Sequence, residues 1–114
     1  MSDCLFCGIV DGKIKANVVY QDDAVVAFKD IAPKAPVHIL IIPRKHLVGV
    51  ADVGEQDRAL VGEIFNVAAK LAREQGIADS GFRIVVNSGA DAGQSVFHLH
   101  YHLLGGRQMR WPPG

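Results

Sequence analysis

The sequence lacks several features that would assign it to a class at once. Its two cysteines are too few for the disulfide framework of a small secreted protein. Twelve acidic and twelve basic residues cancel, so no excess of charge favours nucleic acid or an anionic membrane as a partner. No apolar run is long enough to span a bilayer, and the N-terminus lacks the basic and apolar stretches of a secretion signal. These absences predict a cytoplasmic protein.

A length of 114 residues predicts one domain, 1–114, with one core. Two β-like runs joined by a short polar segment predict a hairpin, and a continuous β-branched run ended by Pro43 predicts a central strand. Apolar residues at spacings of three and four predict one long helix. The expected elements are a short helix at 4–10, strands at 18–20, 24–28, 37–42, 82–87 and 96–104, and the long helix at 55–75.

Three of the five histidines, His98, His100 and His102, alternate with apolar residues. Successive side chains of a strand point to opposite faces, so a strand here has three imidazoles on one face. The other face, with Phe97, Leu99, Tyr101 and Leu103, packs on the core. Imidazole can act as nucleophile, proton carrier or metal ligand near neutral pH. A half-buried strand without a function is the alternative, but three imidazoles after a turn at 93–95 favour a functional site.

Two further features of the sequence are informative. Cys4 and Cys7 are separated by two residues, which is the spacing of a metal-binding or redox pair. The tail 107–114 is too rich in proline for a helix, yet its Trp111 is costly to leave in water. We expect Trp111 to pack on an apolar surface, either of its own chain or of a second subunit.

The sequence resembles the histidine-triad (HIT) superfamily, and within it the Hint branch of histidine-triad nucleotide-binding proteins related to protein kinase C inhibitor. The matching segments cover nearly the whole chain. They are 28–31, 35–38, 42–46, 86–89, 93–104, 105–109 and 111–114. The resemblance implies an α+β fold with an antiparallel sheet of about five strands, one long helix and a short N-terminal helix. It also implies a homodimer in which the two sheets are continuous.

The resemblance implies hydrolysis of purine nucleoside 5′-phosphoramidates, with release of AMP or GMP through a nucleotidyl-histidine intermediate. His100 matches the family's nucleophile. His102 and His38 match the histidines that support it, and Ser95 matches the residue that gives a proton to the leaving amine. Splitting one difficult displacement into two easier ones is the advantage of such a covalent intermediate.

The substrate-binding residues implied by the resemblance fall into three groups. The first is a carboxylate that accepts hydrogen bonds from the ribose hydroxyls. The second is a set of four apolar side chains around the base, and the third is an asparagine and a turn segment around the phosphate. These residues are Asp30; Phe6, Ile9, Phe28 and Ile31; and Asn87, Gly93, Gln94 and Ser95. Apolar contacts bind either purine, so the sequence does not select adenine over guanine.

The resemblance also implies a zinc site. Cys4, Cys7, His46 and His98 match the ligands of several bacterial relatives and of galactose-1-phosphate uridylyltransferases. Four protein ligands close a tetrahedral Zn²⁺ site, so the metal is expected to be structural. Animal Hint proteins generally lack the cysteines, and in that respect the chain departs from them. A pair of reduced thiols without metal is the alternative.

Two other functions stay open at this point. A dinucleoside polyphosphate hydrolase would use the same nucleophile with a phosphate leaving group, although the Hint-like tail favours a phosphoramidase. A nonenzymatic nucleotide-binding scaffold would not need the triad histidines or Ser95, all of which are present. The resemblance places the tail close to the active site of the partner subunit, where Trp111 would contact the leaving group.

Overall fold

The fold is built on a five-stranded antiparallel sheet with the strand order β1-β2-β3-β5-β4. The structure, a computed structural model, describes residues 4–114. The first three residues, on which the expected absence of a secretion signal partly depends, lie outside that range. The elements are α1 (Leu5–Val10), β1 (Val18–Gln21), β2 (Val25–Lys29), β3 (Val37–Pro43), α2 (Arg58–Glu74), β4 (Phe82–Val86) and β5 (Tyr101–Gly105).

The central strand β3 is buried on both faces, as its apolar sequence predicts. Ile39 and Ile41 point to one face, where they join a core cluster with α2. Leu40 and Ile42 point to the other, where they pack with Phe6 of α1. The sheet therefore separates a large core under α2 from a smaller apolar layer under α1, and the candidate site lies on the α1 side.

The long helix buries a stripe at spacings of three and four residues, including Ile64, Val67 and Leu71. It ends before Gly76, whose φ of +74° is a left-handed conformation that glycine adopts without strain. The predicted start at residue 55 is three residues early, because 55–57 form a 3₁₀ turn. Within the described residues, no helix is long and apolar enough to cross a membrane.

The histidine segment departs from the prediction, because β5 begins at Tyr101 and not at residue 96. β5 pairs with β3, and the last pair of residues at this end of the two strands is Ile41 with Tyr101. Further pairing fails near Pro43, which has no N–H to donate and whose carbonyl accepts a hydrogen bond from the His98 ring at 2.8 Å.

The residues before Tyr101 are held instead by a loop, through a 2.6 Å bond from Leu99 N to Leu47 O. The alternation of faces nevertheless continues, since Leu99 and Leu103 lie in the α2 core. The prediction for Phe97 is wrong, because its side chain is 55% exposed. The α2 core includes Leu99 but does not extend to Phe97.

The separation of buried and exposed positions gives a stability prediction. Ile41→Ala should lower the free energy of unfolding by about 2–5 kcal/mol, because it leaves a cavity in a fully buried position. Ile31→Ala is the matched control and should change it by less than about 0.5 kcal/mol, because that side chain is fully exposed. Urea unfolding of the two variants measures both values, and equal losses would contradict this assignment of the core.

Candidate functional site

A cavity of about 310 Å³ lies between α1 and the sheet, on the face opposite α2. One end is apolar and the other is formed by histidines. The predicted site residues that line it are Phe6, Ile9, Phe28, Asp30, Ile31, Ser95, His100 and His102. The rings of Phe6 and Phe28 pack edge to face, with centroids 5.4 Å apart. A flat apolar ligand with a polar end fits such a space.

His100 holds a single tautomer. Its Nδ1 lies 2.8 Å from the carbonyl oxygen of His98. A carbonyl can only accept a hydrogen bond, so Nδ1 carries the proton and the lone pair of the neutral ring is on Nε2. The ring is 7% exposed and packs edge to face on Phe6, with centroids 5.1 Å apart. In the neutral ring, Nε2 is therefore the nitrogen that can act as a nucleophile.

A chain of hydrogen bonds fixes the tautomers of His38 and His102. The backbone N–H of Lys34 donates to His38 Nδ1 at 3.0 Å, so the proton of the neutral His38 ring is on Nε2. This Nε2–H donates to His102 Nδ1 at 2.9 Å. The proton of His102 is consequently on its Nε2, the nitrogen that remains available to a ligand.

Burial keeps both rings neutral. The pKa of His102 falls to about 4, mainly because of burial and also because of the neighbouring His100 and His38, while Asp30 opposes the shift. Burial also lowers the pKa of His38, where Asp30 opposes the shift and Lys34 adds to it. At neutral pH the hydrogen-bond chain can therefore deliver an N–H to a ligand without a charged imidazole.

The Asp30 side chain lines the cavity and is 19% exposed. Its Oδ1 accepts a hydrogen bond from the Ala32 N–H at 2.8 Å, and its Oδ2 is 3.4 Å from His38 Nε2. Ile31, beside it, is fully exposed. Asn87 does not line this cavity and lies in a neighbouring one with His38 and His102.

The turn before the histidine segment has a structural role that the sequence did not indicate. The Gln94 side chain is buried and donates to the Val48 carbonyl at 2.6 Å, while its Oε1 accepts from Gly89 N at 2.9 Å. Gly93 adopts φ +85°, which favours glycine. Because the Gln94 side chain is fully used inside the protein, Gln94 has only its backbone free to contact a ligand.

Sequence reasoning missed two kinds of residue. The backbone N–H of Lys34 sets the histidine tautomers, and no side-chain pattern reveals a backbone donor. The cavity walls also include Leu5, Ile14, Lys15, Ala16, Lys29, Leu40 and Val96. These are ordinary residues in the sequence, and only the packing of α1 and the following loop on the sheet brings them to the cavity.

A second cluster brings together Cys4, Cys7, His46 and His98, with their ligand atoms within 4.8 Å of one another. The Cys7 Sγ–His46 Nδ1 distance is 3.2 Å, and the His46 Nδ1–His98 Nδ1 distance is also 3.2 Å. A tetrahedral zinc site with Zn–N and Zn–S bonds of about 2.0–2.3 Å requires about 3.3–3.8 Å between ligand atoms.

The tautomer of His98 also suits a metal. Its Nε2 donates to the Pro43 carbonyl at 2.8 Å, which leaves the Nδ1 lone pair directed at the cluster. Asp30, His38 and His102 form another group with metal-ligand atoms. There, however, a proton lies between the two rings, so that group is a hydrogen-bonded chain and not a metal centre.

Comparison with known proteins shows consistent similarity. The HIT domain matches residues 11–109. An uncharacterised HIT-like protein of Synechocystis is 48% identical over 98% of this chain and 97% of its own length. The crystal structure of a HIT family hydrolase from Legionella pneumophila is 50% identical, with a TM-score of 0.97 and coverage of 98% of this chain and 100% of that one. A histidine triad protein from Clostridium difficile is 44% identical, with a TM-score of 0.93 and 96% coverage of both chains.

The depressed pKa of His102 makes stability depend on pH. Its pKa of about 4 lies below the usual value near 6.5, so between these values the unfolded state binds a proton that the folded state excludes. The free energy of unfolding should therefore fall as the pH drops from about 6.5 to 4, by at most about 1.4 kcal/mol per pH unit from this group.

His102→Asn should flatten that fall, as measured by urea unfolding at several pH values. Asn87→Ala, which removes a neutral side chain lining the neighbouring cavity beside His102, is the control and should retain the wild-type slope. An unchanged slope in His102→Asn would show that His102 is not the group responsible.

Proposed function

The chain belongs to the HIT domain family, and we propose that it is a hydrolase of the Hint branch that cleaves the P–N bond of purine nucleoside 5′-phosphoramidates. The observation that carries this proposal is the His100 tautomer, which holds an Nε2 lone pair at the histidine end of the cavity. Relatives named as HIT family hydrolases support a hydrolytic reaction. A scaffold that only binds nucleotides has no use for a nucleophile held in this way.

The first step transfers the nucleotidyl group to the protein. The Nε2 lone pair of His100 attacks the α-phosphorus and forms a P–N bond to the imidazole. The bond to the leaving amine breaks, its electron pair stays on the amine nitrogen, and that nitrogen takes a proton from the Ser95 hydroxyl. Ser95 lines the cavity and is exposed, so it regains a proton from solvent. An amine anion is too basic to leave without this proton.

The second step returns the protein to its starting state. Water attacks the phosphorus, the bond to His100 Nε2 breaks with its electron pair returning to the ring, and the proton of the water passes to solvent. AMP or GMP is released. In both steps the neutral His102 donates its Nε2–H to a phosphate oxygen, where negative charge increases in the transition state.

The nucleoside occupies the apolar end of the same cavity. Phe6 and Phe28, with Ile9 and Ile31, contact the purine base, and Asp30 accepts hydrogen bonds from the ribose hydroxyls. A carboxylate has enough lone pairs to do so, although one oxygen already accepts from Ala32 N. The phosphate lies near the backbone of 93–95, with Asn87 on its far side.

We also propose that Cys4, Cys7, His46 and His98 hold a structural zinc ion. The distances from His98 Nδ1 to Cys4 Sγ and Cys7 Sγ, 3.4 and 3.5 Å, fit a closed tetrahedral site, and the two distances of 3.2 Å lie just below its range. The His98 tautomer also leaves Nδ1 free for the metal. Bound zinc would stabilise the fold by joining α1 to the histidine segment. Because protein ligands fill the coordination sphere, the site offers no open position to a substrate.

We further propose that two copies of the chain form a homodimer through the β4 edge. This strand is last in the sheet order, and Phe82 on it is 38% exposed. Trp111 is 81% exposed and lies with its ring centroid 6.0 Å from the Arg83 guanidinium. A partner subunit would cover these side chains. This supports the proposal that the tail of one subunit reaches the site of the other.

The nucleophile assignment is tested by His100→Ala. Hydrolysis of an adenosine 5′-phosphoramidate should fall by about a thousandfold or more, because no other side chain can form the covalent intermediate. Binding of AMP, measured by calorimetry, should change by less than about tenfold, because the base and ribose contacts remain.

Phe97→Ala is the matched control, since Phe97 is exposed in the same segment and should retain the wild-type rate. Rapid acid-free quenching and mass spectrometry should find the nucleotidyl group on His100 of the wild type. A nucleotidyl adduct on another residue, or wild-type turnover by His100→Ala, would overturn the assignment.

The metal proposal predicts about one zinc per chain by elemental analysis. Cys7→Ser should lose most of the zinc and unfold at a lower temperature than the wild type, because binding of a structural metal contributes to folding. Chelation of the wild type should reproduce that loss, and added zinc should reverse it. Purified protein that is free of metal and gains no stability from zinc would contradict the proposal.

A further inference from the structure

A second cavity, of about 330 Å³, lies beside the nucleotide cavity and shares His102 and Asp30 with it. We call it the basic cavity, because Lys34 and Arg107 line it together with His38 and Asn87. The mechanism above does not use its two cationic side chains.

The positive charge of the basic cavity is not neutralised by a carboxylate partner. Lys34 Nζ donates to the Ala32 carbonyl at 2.9 Å, and Arg107 Nε donates to the Lys34 carbonyl at 3.1 Å. The ion pairs found among residues 4–114 involve neither side chain. Asp30, the one acidic residue in the lining, already contacts Ala32 N and His38.

The basic charge also continues along this face of the sheet. Arg83 is paired with Leu104 of β5, and Leu104 lines the basic cavity. Since the whole chain has a net charge of zero, this concentration of cations is local. Local cations beside a site with neutral histidines indicate recognition of an anion.

The positions of the proposed phosphate contacts place the reacting phosphorus at the boundary between the two cavities. Of these two cavities, His100 and Ser95 line the nucleotide cavity, Asn87 lines the basic cavity, and His102 lines both. The nucleoside fills the nucleotide cavity. The leaving group is the remaining substituent of the phosphorus. Its amine nitrogen stays at this boundary, where Ser95 can protonate it, and the group that the nitrogen carries extends into the basic cavity.

We propose that the basic cavity is the leaving-group subsite and selects leaving groups that carry a negative charge. This inference rests on the proposed function and specifies its substrate class. The anion is a carboxylate on the leaving amine or the phosphate of a polyphosphate leaving group, and Lys34 and Arg107 contact it in either case. For an amine that carries a carboxylate, the bonds formed and broken are those of the two steps already described. For a polyphosphate, His100 Nε2 forms the same bond to the α-phosphorus, but the bond that breaks is P–O and its electron pair stays on the oxygen of the departing phosphate.

Three substrates test this inference: the adenosine 5′-phosphoramidates of alanine and of alaninamide, which differ in one charge, and a diadenosine polyphosphate. For the wild type, we expect kcat/KM for at least one anionic substrate to exceed that for the alaninamide compound by about tenfold, which two partly exposed ion pairs can supply. Raising the salt concentration should reduce this ratio.

Lys34→Gln should lower the same ratio by about threefold, and the substrate that loses rate identifies the anion. Lys13→Gln is the matched control, because Lys13 has the same charge, is exposed and is distant in sequence from the basic cavity, so it should retain the wild-type ratio. Arg107→Gln removes both the charge and the hydrogen bond to the Lys34 carbonyl, and the lost bond can disturb the fold. Arg107→Lys keeps the charge, so it is measured beside Arg107→Gln and should retain most of the ratio.

If Lys34→Gln leaves the ratio unchanged for both anionic substrates, the inference is wrong while the proposed function stands. If the wild type hydrolyses neither phosphoramidate, the proposed function itself fails. Retention of the wild-type ratio by Arg107→Gln as well as Arg107→Lys would remove Arg107 from the subsite.

Discussion

The hydrogen bond from His100 Nδ1 to the carbonyl of His98 is the interaction on which the site depends. It sets which nitrogen of His100 carries the lone pair, and it does so with a backbone group that cannot change its protonation. His98 is held in turn by the Pro43 carbonyl through its own ring. His98 thus contacts the metal-ligand cluster, the end of the central strand and the nucleophile.

The same principle extends to the other histidines. A backbone N–H fixes His38, and His38 fixes His102. Burial keeps both rings neutral, so their hydrogen bonds are directional and do not vary with small changes in pH. Backbone groups therefore set the tautomers of the site histidines. These groups belong to loops, and a sequence pattern does not identify them.

The elements that were predicted correctly are those in which periodicity reflects burial. The β3 run is buried on both faces, and the α2 stripe packs on the sheet. The histidine segment was less predictable, because its faces alternate as in a strand although pairing starts only at Tyr101. Strand ends depend on the neighbouring strand, here on Pro43. The basic cavity could not be predicted, since Lys34 and Arg107 are far apart in sequence and meet only through a backbone hydrogen bond.

The helix α1 has six residues, which is too short to be stable on its own. It is held by the cluster of Cys7 with His46 on one side and by the packing of Phe6 on Phe28 and His100 on the other. Docking of α1 is thus a common condition for two sites that have no ligand in common. By thermodynamic reciprocity, any effect that an occupant of one site has on the affinity of the other site must be equal in both directions.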